Sequence, residues 1–325
     1  MDLLSNYLRD LGAVPFNMNL RISLVYLLCT VVLAGAIWIW RGRPTGFLSW
    51  LLPASVYRHR SNLLDIKLFL TNRLVDASGL AGAVFFPPLV AIGLIGLWAD
   101  VAGYNPPPET WGRTLLATII IVMASDFCKY WAHRWHHQWK VLWPFHAVHH
   151  SADVLTPLTV MRAHPVETLL RNLLITVVVG VVQAVVLILV LGQIDFVTIG
   201  GANALYVLFN ALGANLRHSH IWLSYGAVLE HVFISPAQHQ VHHSVAVEHH
   251  DKNYGSIFAL WDWAFGTLYI PPRQEALTFG ISDAAGNRIP QPHETLGAAL
   301  LTPFAESIAA ARTGEDAAAP ELREP

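Results

Sequence analysis

The sequence predicts an all-α, polytopic membrane protein with about four to five transmembrane helices. Of its 325 residues, 54% are hydrophobic and only 13% are charged, whereas soluble globular proteins carry about 25% charged residues. Several uncharged apolar runs approach the length of about 20 residues that a helix needs to cross a bilayer. The composition therefore argues against a water-soluble enzyme and against a disordered chain.

Five apolar runs supply the candidate transmembrane helices: residues 22–40, 79–98, 115–131, 173–191 and 194–216. The first run begins too late for a signal peptide and lacks the small-residue cleavage site. The second contains the pair Pro87-Pro88, which predicts a kink. Only Gly192-Gln193 separates the last two runs. They are therefore expected to form a tight hairpin, whose second arm either spans the membrane or re-enters it.

The distribution of basic residues predicts the orientation of these helices. The segment between the first two runs holds Arg41, Arg43, Arg58, Arg60, Lys67 and Arg73. The segment between the second and third runs holds only Arg113. Because cytoplasmic loops are enriched in Lys and Arg, residues 41–78 are expected in the cytoplasm. Residues 131–170 and 217–272 then face the cytoplasm as well.

The remaining segments are less informative. Residues 55–74 mix basic and apolar side chains at helical spacing, which predicts a helix at the membrane interface. The tail from Ala305, rich in Ala, Glu and Pro, is expected to be disordered. Cys29 and Cys128 lack the spacing of a disulfide framework or a zinc ribbon. The net charge of −2 offers no basic surface for nucleic acid.

The histidines are concentrated in one part of the chain. Fifteen of the 17 lie between His133 and His250. Within this window the pattern HxxHH occurs three times, at residues 133–137, 146–150 and 239–243. Positions i, i+3 and i+4 of a helix share one face, about 5–6 Å apart. Each motif therefore presents three imidazoles together.

Local signals place the three motifs on separate helices. Pro144 lies between the first and second motifs and interrupts any helix that would join them. The third motif follows Ser235 as N-cap, Pro236 at the first helical position and Gln238 as the partner in a capping box. The sequence thus predicts three histidine-bearing helical faces that could surround one metal cluster.

The number of imidazoles predicts a metal site with more than one ion. Burying so many of them in a chain poor in charge is costly unless they are ligated. A zinc site takes three or four ligands, so eight or more histidines exceed the need of one ion. The zinc-protease motif HExxH is also absent. Two ions with four or five nitrogens each fit the number, and imidazole suits iron, copper, zinc and nickel.

These motifs resemble the integral-membrane fatty acid hydroxylase/sterol desaturase superfamily, which includes alkylglycerol monooxygenases, methylsterol oxidases and sphingolipid hydroxylases. The resemblance covers about residues 115–272 and follows the family's order. It rests on DFCKYWAHRWHH (126–137), FHAVHH (145–150), RHS (217–219), SPAQHQVHHS (235–244), DKNYG (251–255) and WDWAFGTLY (261–269).

The resemblance implies a membrane-embedded, non-haem di-iron oxygenase whose metal ligands are all histidines. It assigns the family's first box to His133 and His137 and the intervening ligand to His218. His136 is additional to that box, and His164 and His249 either orient ligands or serve packing. The implied metal ligands are His133, His137, His146, His149, His150, His218, His239, His242 and His243.

The same resemblance implies cofactors, partners and a domain organisation. Two iron ions (Fe²⁺/Fe³⁺) would use O₂ as co-substrate to oxidise a lipid that reaches a cytosolic helical cap from the membrane. A separate cytochrome, ferredoxin or reductase is expected to supply electrons, because the chain carries no haem- or flavin-binding motif. The expected regions are an N-terminal transmembrane and interfacial part (1–112), a catalytic domain (113–272) and a partly disordered extension (273–325).

Several functional alternatives stay open at this point. Hydroxylation is favoured over desaturation, and the substrate could be a fatty acyl chain, an ether lipid, an aminolipid or a sterol. Arg outnumbers Lys sixteen to four, which suggests a high-GC bacterium and hence a bacterial inner membrane. A metal transporter or a metal sensor is the non-enzymatic alternative. A transporter would place its ligands near the bilayer midplane rather than at the ends of spans.

A few other side chains are candidates for supporting roles. Asp126, two helical turns before His133, either orients a histidine or caps a helix at the membrane edge. Glu167, Asp153 and Asp251 are weaker candidates for orienting histidines. Arg134 and Arg217 are expected to anchor the chain at the membrane surface. An interfacial aromatic belt is expected from Trp131, Trp135, Trp139, Trp143, Trp261 and Trp263.

Overall fold

The described part of the chain is helical, as predicted. The structure, a computed structural model, describes residues 2–79, 87–102, 107–108, 110–191, 196–283 and 285–312, without side chains for 191 and 196–203. Within these ranges there are α-helices, short 3₁₀ turns and one π-helical turn, and three isolated β-bridges but no strand. The fold class of the described residues is therefore all-α.

Fourteen α-helices follow one another within the described ranges. They are α1 Leu3–Ala13, α2 Leu24–Trp40, α3 Phe47–Leu51, α4 Ala54–Tyr57, α5 Ser61–Ala77, α6 Pro87–Ala102, α7 Trp111–Gln138, α8 Trp143–His150, α9 Pro165–Val186, α10 Phe196–Ala211, α11 Gly226–Leu229, α12 Pro236–His242, α13 Leu260–Ala264 and α14 Leu296–Arg312.

Two helices among the described residues are long and apolar enough to cross a membrane. These are α7 with 28 residues and the helix Pro165–Val190, formed by α9 and the π-helical turn after it. The other three apolar runs contain the shorter helices α2, α6 and α10. Parts of the predicted second and fifth spans, residues 80–86 and 194–195, lie outside the described residues. Four to five spans therefore stay a prediction.

A bundle of apolar helices forms around α9, which packs against α6 on one side and α7 on the other. Gly180 lies at the α6–α9 contact. A Cβ atom at this position would come within 2.6 Å of the Cβ atom of Val90 and 2.8 Å of the carbonyl oxygen of Pro87. Because backbone atoms of α6 approach so closely, the contact has room only for glycine.

The C-terminal extension corrects an expectation from the sequence. Disorder was expected from Ala305 onwards, yet α14 continues to Arg312. Its Leu296, Ala299 and Leu300 pack into a core with α5 and α8. The Ala-rich composition does not show these tertiary contacts, which stabilise the helix. The rest of the extension, residues 313–325, lies outside the described residues.

The predicted break at Pro144 and the predicted start of the third histidine-bearing helix are confirmed. The helix of the first motif, α7, ends at Gln138, and Pro144 falls in the first turn of α8. The third motif begins α12 as expected, because Ser235 Oγ accepts from the Gln238 amide at 3.1 Å and Gln238 Oε1 accepts from the Ser235 amide at 2.9 Å. His218 ends a 3₁₀ turn, Ala214–His218.

We predict that Gly180→Ala lowers the melting temperature of the detergent-solubilised protein, because overpacking of a close contact costs about 1–3 kcal/mol. Gly93→Ala is the matched control, since it lies in α6 with nothing within 4 Å of an added Cβ atom. It should be neutral or stabilising by up to about 1 kcal/mol, from helix propensity. Equal melting temperatures for the two variants would contradict the packing described for α6 and α9.

Candidate metal centre

The structure brings nine histidines together in two groups that suit metal ions. One group contains His133, His137, His146, His150 and His242, and the other contains His149, His218, His239 and His243. Within each group, one potential ligand atom from every residue lies within 4.8 Å of the others. All nine residues for which metal binding was predicted are in these groups.

Two helices each contribute histidines to both groups. On α8, His146 and His150 belong to the five-histidine group while His149 belongs to the four-histidine group. On α12 the assignment is reversed, since His239 and His243 belong to the smaller group and His242 to the larger. In each helix the i, i+4 pair therefore serves one group and the i+3 residue serves the other. Each of the two helices therefore faces both groups.

The spacing of the ring nitrogens fits one metal ion in the four-histidine group. His218 Nε2 lies 3.2 Å from His149 Nε2 and 3.1 Å from His239 Nε2, and His239 Nε2 lies 3.3 Å from His243 Nε2. A metal–nitrogen bond of about 2.1 Å places neighbouring ligand nitrogens about 3.0–3.4 Å apart. These three separations are those of neighbouring ligands around a common ion.

The five-histidine group contains buried nitrogens without a hydrogen-bond partner. Nε2 of His137, His146, His150 and His242 is buried and unpartnered among the described residues. A buried polar atom without a partner costs roughly 1–3 kcal/mol. Four such atoms in one cluster therefore indicate a missing electrophile. A metal ion that accepts the lone pairs of these nitrogens satisfies them together.

Backbone carbonyls orient three of the rings through their other nitrogen. His133 Nδ1 lies 2.8 Å from the carbonyl oxygen of Tyr254, and His242 Nδ1 lies 2.7 Å from that of Lys252. His149 Nδ1 lies 3.2 Å from the carbonyl oxygen of Arg162. A carbonyl only accepts, so Nδ1 carries the proton and Nε2 keeps the lone pair. Such contacts fix the tautomer and direction of metal-binding histidines.

A carboxylate lies beside a fourth ring. Glu167, in the first turn of α9, has Oε1 3.0 Å from His146 Nδ1. The contact does not have hydrogen-bond geometry, so an orienting role for Glu167 stays a prediction. The other two weaker candidates have different partners. Asp153 pairs with Arg288, and Asp251 accepts from the Tyr254 hydroxyl.

A buried ion pair supports the carbonyl that orients His149. The Arg162 guanidinium is inaccessible to solvent and lies 3.0 Å from Asp65 Oδ1 on α5. It also donates to the carbonyl oxygens of Val148 at 2.8 Å and Ser151 at 3.2 Å, at the end of α8. Arg162 therefore holds α8 and α5 together with one side chain, while its own carbonyl holds the ring of His149.

Two buried aspartates hold the loop that orients His133 and His242. Asp262 Oδ1 accepts from the Tyr254 amide, and its Oδ2 accepts from the Gly255 amide, both at 2.8 Å. Asp126 accepts from the amides of Ile257 at 2.8 Å and Phe258 at 3.0 Å. Both expectations for Asp126 were wrong, because it binds this loop rather than a histidine or a helix end.

Burial keeps the grouped imidazoles outside α7 neutral. Removal from water, reinforced by neighbouring rings, lowers the pKa of His146, His150, His218, His239 and His243 well below the usual value. Burial also lowers the pKa of His149 and His242 to about 4. Neutral rings have a free lone pair near pH 7, so a metal ion can bind without displacing protons from them.

The three histidines left open by the sequence lie outside both groups. His136 Nδ1 lies 2.7 Å from the carbonyl oxygen of Ala132, one turn earlier on α7. His164 is the N-cap of α9, since its Nδ1 accepts from the Val166 amide at 3.1 Å. His249 Nε2 lies 3.1 Å from Glu275 Oε2. These contacts assign local structural roles to His164 and His249 and leave His136 as a neighbour of the site.

Two side chains that were expected at the membrane surface are buried inside the protein. Trp143 is 1% exposed and packs on the rings of His137 and His150 at 5.1 and 5.6 Å between centroids, so it belongs to the site rather than to an interfacial belt. Arg217 is also buried and donates to the carbonyl oxygens of Ile234 and Ser256. It therefore does not anchor the chain at the membrane surface.

Sequence reasoning missed Arg162, Asp65 and Asp262. The local sequence offers little sign of their role, because each acts on backbone atoms brought close by folding. The only local signal is an acidic residue, Asp65, in a segment that otherwise presents basic and apolar residues. It was interpreted as part of an interfacial helix.

Comparison with known proteins supports the motif-based resemblance. The family model for fatty acid hydroxylase matches residues 118–267. This matched region is similar to the catalytic region of fatty acid hydroxylases. All nine grouped histidines fall inside it. The resemblance to the fatty acid hydroxylase/sterol desaturase superfamily is thus confirmed.

The relatives that this chain matches are named for different lipids. It is 29% identical over 178 residues to ornithine lipid hydroxylase OlsE of Rhizobium tropici, covering 54% of this chain and 48% of the relative. It is 25% identical over 248 residues to human alkylglycerol monooxygenase, with 75% and 46% coverage. It is 28% identical over 214 residues to a Delta(7)-sterol 5(6)-desaturase, ERG3A, of Gibberella zeae, with 66% and 54% coverage.

These alignments are partial. The chain spans about half the length of the curated relatives it matches, 48% for the ornithine lipid hydroxylase and 46% for the human monooxygenase. No solved structure matches it significantly.

We predict that Asp65→Asn lowers the free energy of unfolding by about 3–5 kcal/mol, because it leaves the buried Arg162 charge unpaired. Asp10→Asn is the matched control. Asp10 lies 3.5 Å from Arg73, also on α5, but this pair is partly exposed and its loss should cost less than about 1 kcal/mol. Denaturant unfolding in detergent measures both changes. A loss of similar size in the two variants would contradict the role of the Arg162–Asp65 pair.

We predict that the metal-free protein loses stability as the pH falls from 6.5 towards 4. His149 and His242 have a pKa of about 4 when folded, against about 6.5 when unfolded. The unfolded chain therefore binds protons first, and the stability present above pH 6.5 decreases until the folded rings also protonate. Melting temperatures of chelator-treated protein at pH 7.5, 6 and 5 measure this. A constant melting temperature would mean that the rings are not buried and neutral.

Proposed function

We propose that this protein is a membrane-bound, non-haem di-iron oxygenase that hydroxylates a C–H bond of a lipid. The reaction consumes one O₂, two electrons and two protons, and it yields one alcohol and one water. The observation that carries the proposal is the pair of histidine groups inside a fatty acid hydroxylase domain. We assign the nine grouped histidines as ligands, five to one ion and four to the other.

The donor set favours iron among the metals that imidazole binds. Nine nitrogen donors in two groups exceed what a single zinc site takes. Neither group includes a thiolate, which copper(I) and zinc often select. Iron held at these histidines supplies the redox chemistry by which dioxygen oxidises an unactivated C–H bond.

The protein's own residues prepare the site. The carbonyls of Tyr254, Lys252 and Arg162 hold Nδ1 protons and so direct Nε2 inwards. Trp143 and Tyr254 pack on the ring of His137, both at 5.1 Å between centroids, and exclude water there. Because the donors outside α7 are neutral, they would leave the positive charge of bound ions uncompensated.

We propose that the substrate reaches this site from the bilayer. The two long apolar helices, α7 and α9, carry His133 and His137 near the end of one and Glu167 near the start of the other. With cytoplasmic basic loops, these ends face the cytoplasm. The site then lies in a helical cap at the cytosolic surface of four to five spans, in a bacterial inner membrane.

Lipid substrate and electron donor complete the proposal. The names of the relatives, an ornithine lipid hydroxylase and an alkylglycerol monooxygenase, support a lipid with a polar head and an alkyl chain. A separate cytochrome, ferredoxin or reductase supplies the two electrons. We further propose that residues 113–272 are the catalytic domain, preceded by the membrane-anchoring region 1–112 and followed by the extension 273–325.

Desaturation on the same scaffold is the second candidate. It is supported by the similarity to sterol desaturases of Gibberella zeae and Aspergillus fumigatus. Both reactions begin by removing hydrogen from a C–H bond and differ in whether oxygen is then transferred. A metal transporter or sensor would share the histidines, but it would require neither O₂ nor an electron donor.

Metal analysis of anaerobically purified protein tests the site. We predict about two irons per chain, and their oxidation on exposure to O₂. His218→Ala and His239→Ala should each lower the iron content by removing a donor from the four-histidine group. His220→Asn is the control, since His220 Nε2 donates to the carbonyl oxygen of Trp50 outside both groups. Zinc alone, without O₂ reactivity, would support the non-enzymatic alternative.

Comparative lipidomics of cells with and without the gene tests the reaction. We predict a lipid that gains one oxygen when the gene is present and reverts with the His239→Ala variant. A lipid that loses two hydrogens instead would establish the desaturase. If no lipid changes while an electron donor and O₂ are available, the proposed oxygenase activity is wrong.

A further inference from the structure

The helix α14, in the extension beyond the fatty acid hydroxylase domain, has its large apolar residues on the outside. Leu301, Phe304 and Ile308 are 69%, 45% and 53% exposed. The opposite face, with Ala299, Pro303 and Ala310, is buried. Spacings of three and four residues place the exposed side chains in one stripe. An amphipathic helix in water has the reverse arrangement, so this stripe requires an apolar neighbour.

Two contacts locate α14 at the ends of both candidate spans. His164, the N-cap of α9, donates through Nε2 to the carbonyl oxygen of Leu300 at 3.2 Å, since its Nδ1 already accepts from the Val166 amide. Ser307 Oγ donates to the carbonyl oxygen of Val141 at 2.8 Å, three residues after α7 ends. The helix thus bridges the end of α7 and the start of α9.

The neighbouring helix α5 also has large apolar residues on its outer side, and it too lies near the start of α9. Asn72 on α5 donates to the carbonyl oxygen of Ala163 at 3.0 Å, just before α9 begins. Lys67 is the only charged side chain in its exposed stripe and has a long aliphatic stem that can cover apolar surface. The exposed apolar residues of α5 are Leu63, Ile66, Leu70 and Leu74.

We infer that α14 lies in the cytosolic leaflet of the membrane, with Leu301, Phe304 and Ile308 immersed at the boundary between head groups and acyl chains. The occupant of the stripe is the lipid surface, because the stripe lies where two apolar helices end and adjoins the exposed leucines of α5. Helices that lie in this plane bury their apolar face about 5–10 Å into the boundary. The inference rests on the proposed membrane topology of α7 and α9.

This position would bring lipid within one helix of the histidines. Phe304 packs on Phe145 and His164, with centroids 5.3 and 5.5 Å apart. Phe145 directly precedes His146 on α8. Phe304, at the edge of the stripe, therefore also contacts the helix that carries three of the grouped histidines, while Leu301 and Ile308 would face the lipid.

Spin labels at single cysteines, in a Cys29→Ala/Cys128→Ala background, test the inference. The protein is reconstituted in vesicles of phosphatidylcholine and phosphatidylglycerol, and the label's accessibility to O₂ and to a water-soluble nickel chelate is measured by electron paramagnetic resonance. Leu301→Cys and Ile308→Cys report on the stripe. Val181→Cys, exposed on α9, and Gln274→Cys, exposed on a loop after the domain, are the lipid and water controls. Circular dichroism checks that every variant is folded.

We expect the O₂-to-nickel accessibility ratio at 301 and 308 to be several-fold higher than at 274 and lower than at 181. A ratio equal to that at 274 would overturn the inference. Low accessibility to both reagents together with spin–spin coupling between chains would also overturn the inference, because a second copy of the chain would then cover the stripe. Low accessibility that is relieved by deleting residues 313–325 would overturn it as well, because that segment would then cover the stripe. A water-like ratio at 181 would instead refute the proposed membrane topology. If only 181 is lipid-like, that topology holds and α14 faces water.

Discussion

The dominant constraint in this protein is that nine neutral imidazoles face one another in a buried site. Several of their inward nitrogens have no hydrogen-bond donor or acceptor from the described residues, such as Nε2 of His137, His150 and His242. In an interior that excludes water, unsatisfied polar atoms are costly, and protonation is opposed by the lowered pKa of rings such as His149. Metal ions relieve both costs, so the polar groups of the surrounding fold are arranged to keep these nitrogens free.

In that arrangement, a backbone carbonyl accepts a hydrogen bond from the outer nitrogen of a ring, and a buried charged side chain holds the segment that carries the carbonyl. Arg162 does so for His149, with Asp65 compensating its charge. Asp262 does so for His133 through the amide of Tyr254. Because each of these contacts is buried, a substitution that leaves one charge uncompensated is expected to affect both the stability of the protein and metal binding.

Because α8 and α12 each contribute histidines to both groups, the geometry of one group depends on the geometry of the other. A rotation of α8 that improved one group would displace His149 in the other, and the same holds for His242 on α12. The site is therefore expected to bind its ions as one unit rather than as two independent sites. The two candidate spans and the extension lie beside this unit, since α7 contributes His137, Glu167 of α9 lies next to His146, and α14 packs against α8.

The sequence by itself determined the helical class, the break between the first two histidine-bearing helices, the start of the third and the identity of the clustered histidines, because apolar periodicity, proline and capping residues and the HxxHH spacing are local. It also indicated Glu167, which lies two residues after Pro165 at the start of a helix. Only the tertiary structure decided that His149 and His242 serve the opposite group from their helix neighbours. It likewise decided the roles of Arg162 and Asp126 and the helical state of α14. Each of these depends on atoms far apart in the chain, which no local pattern encodes.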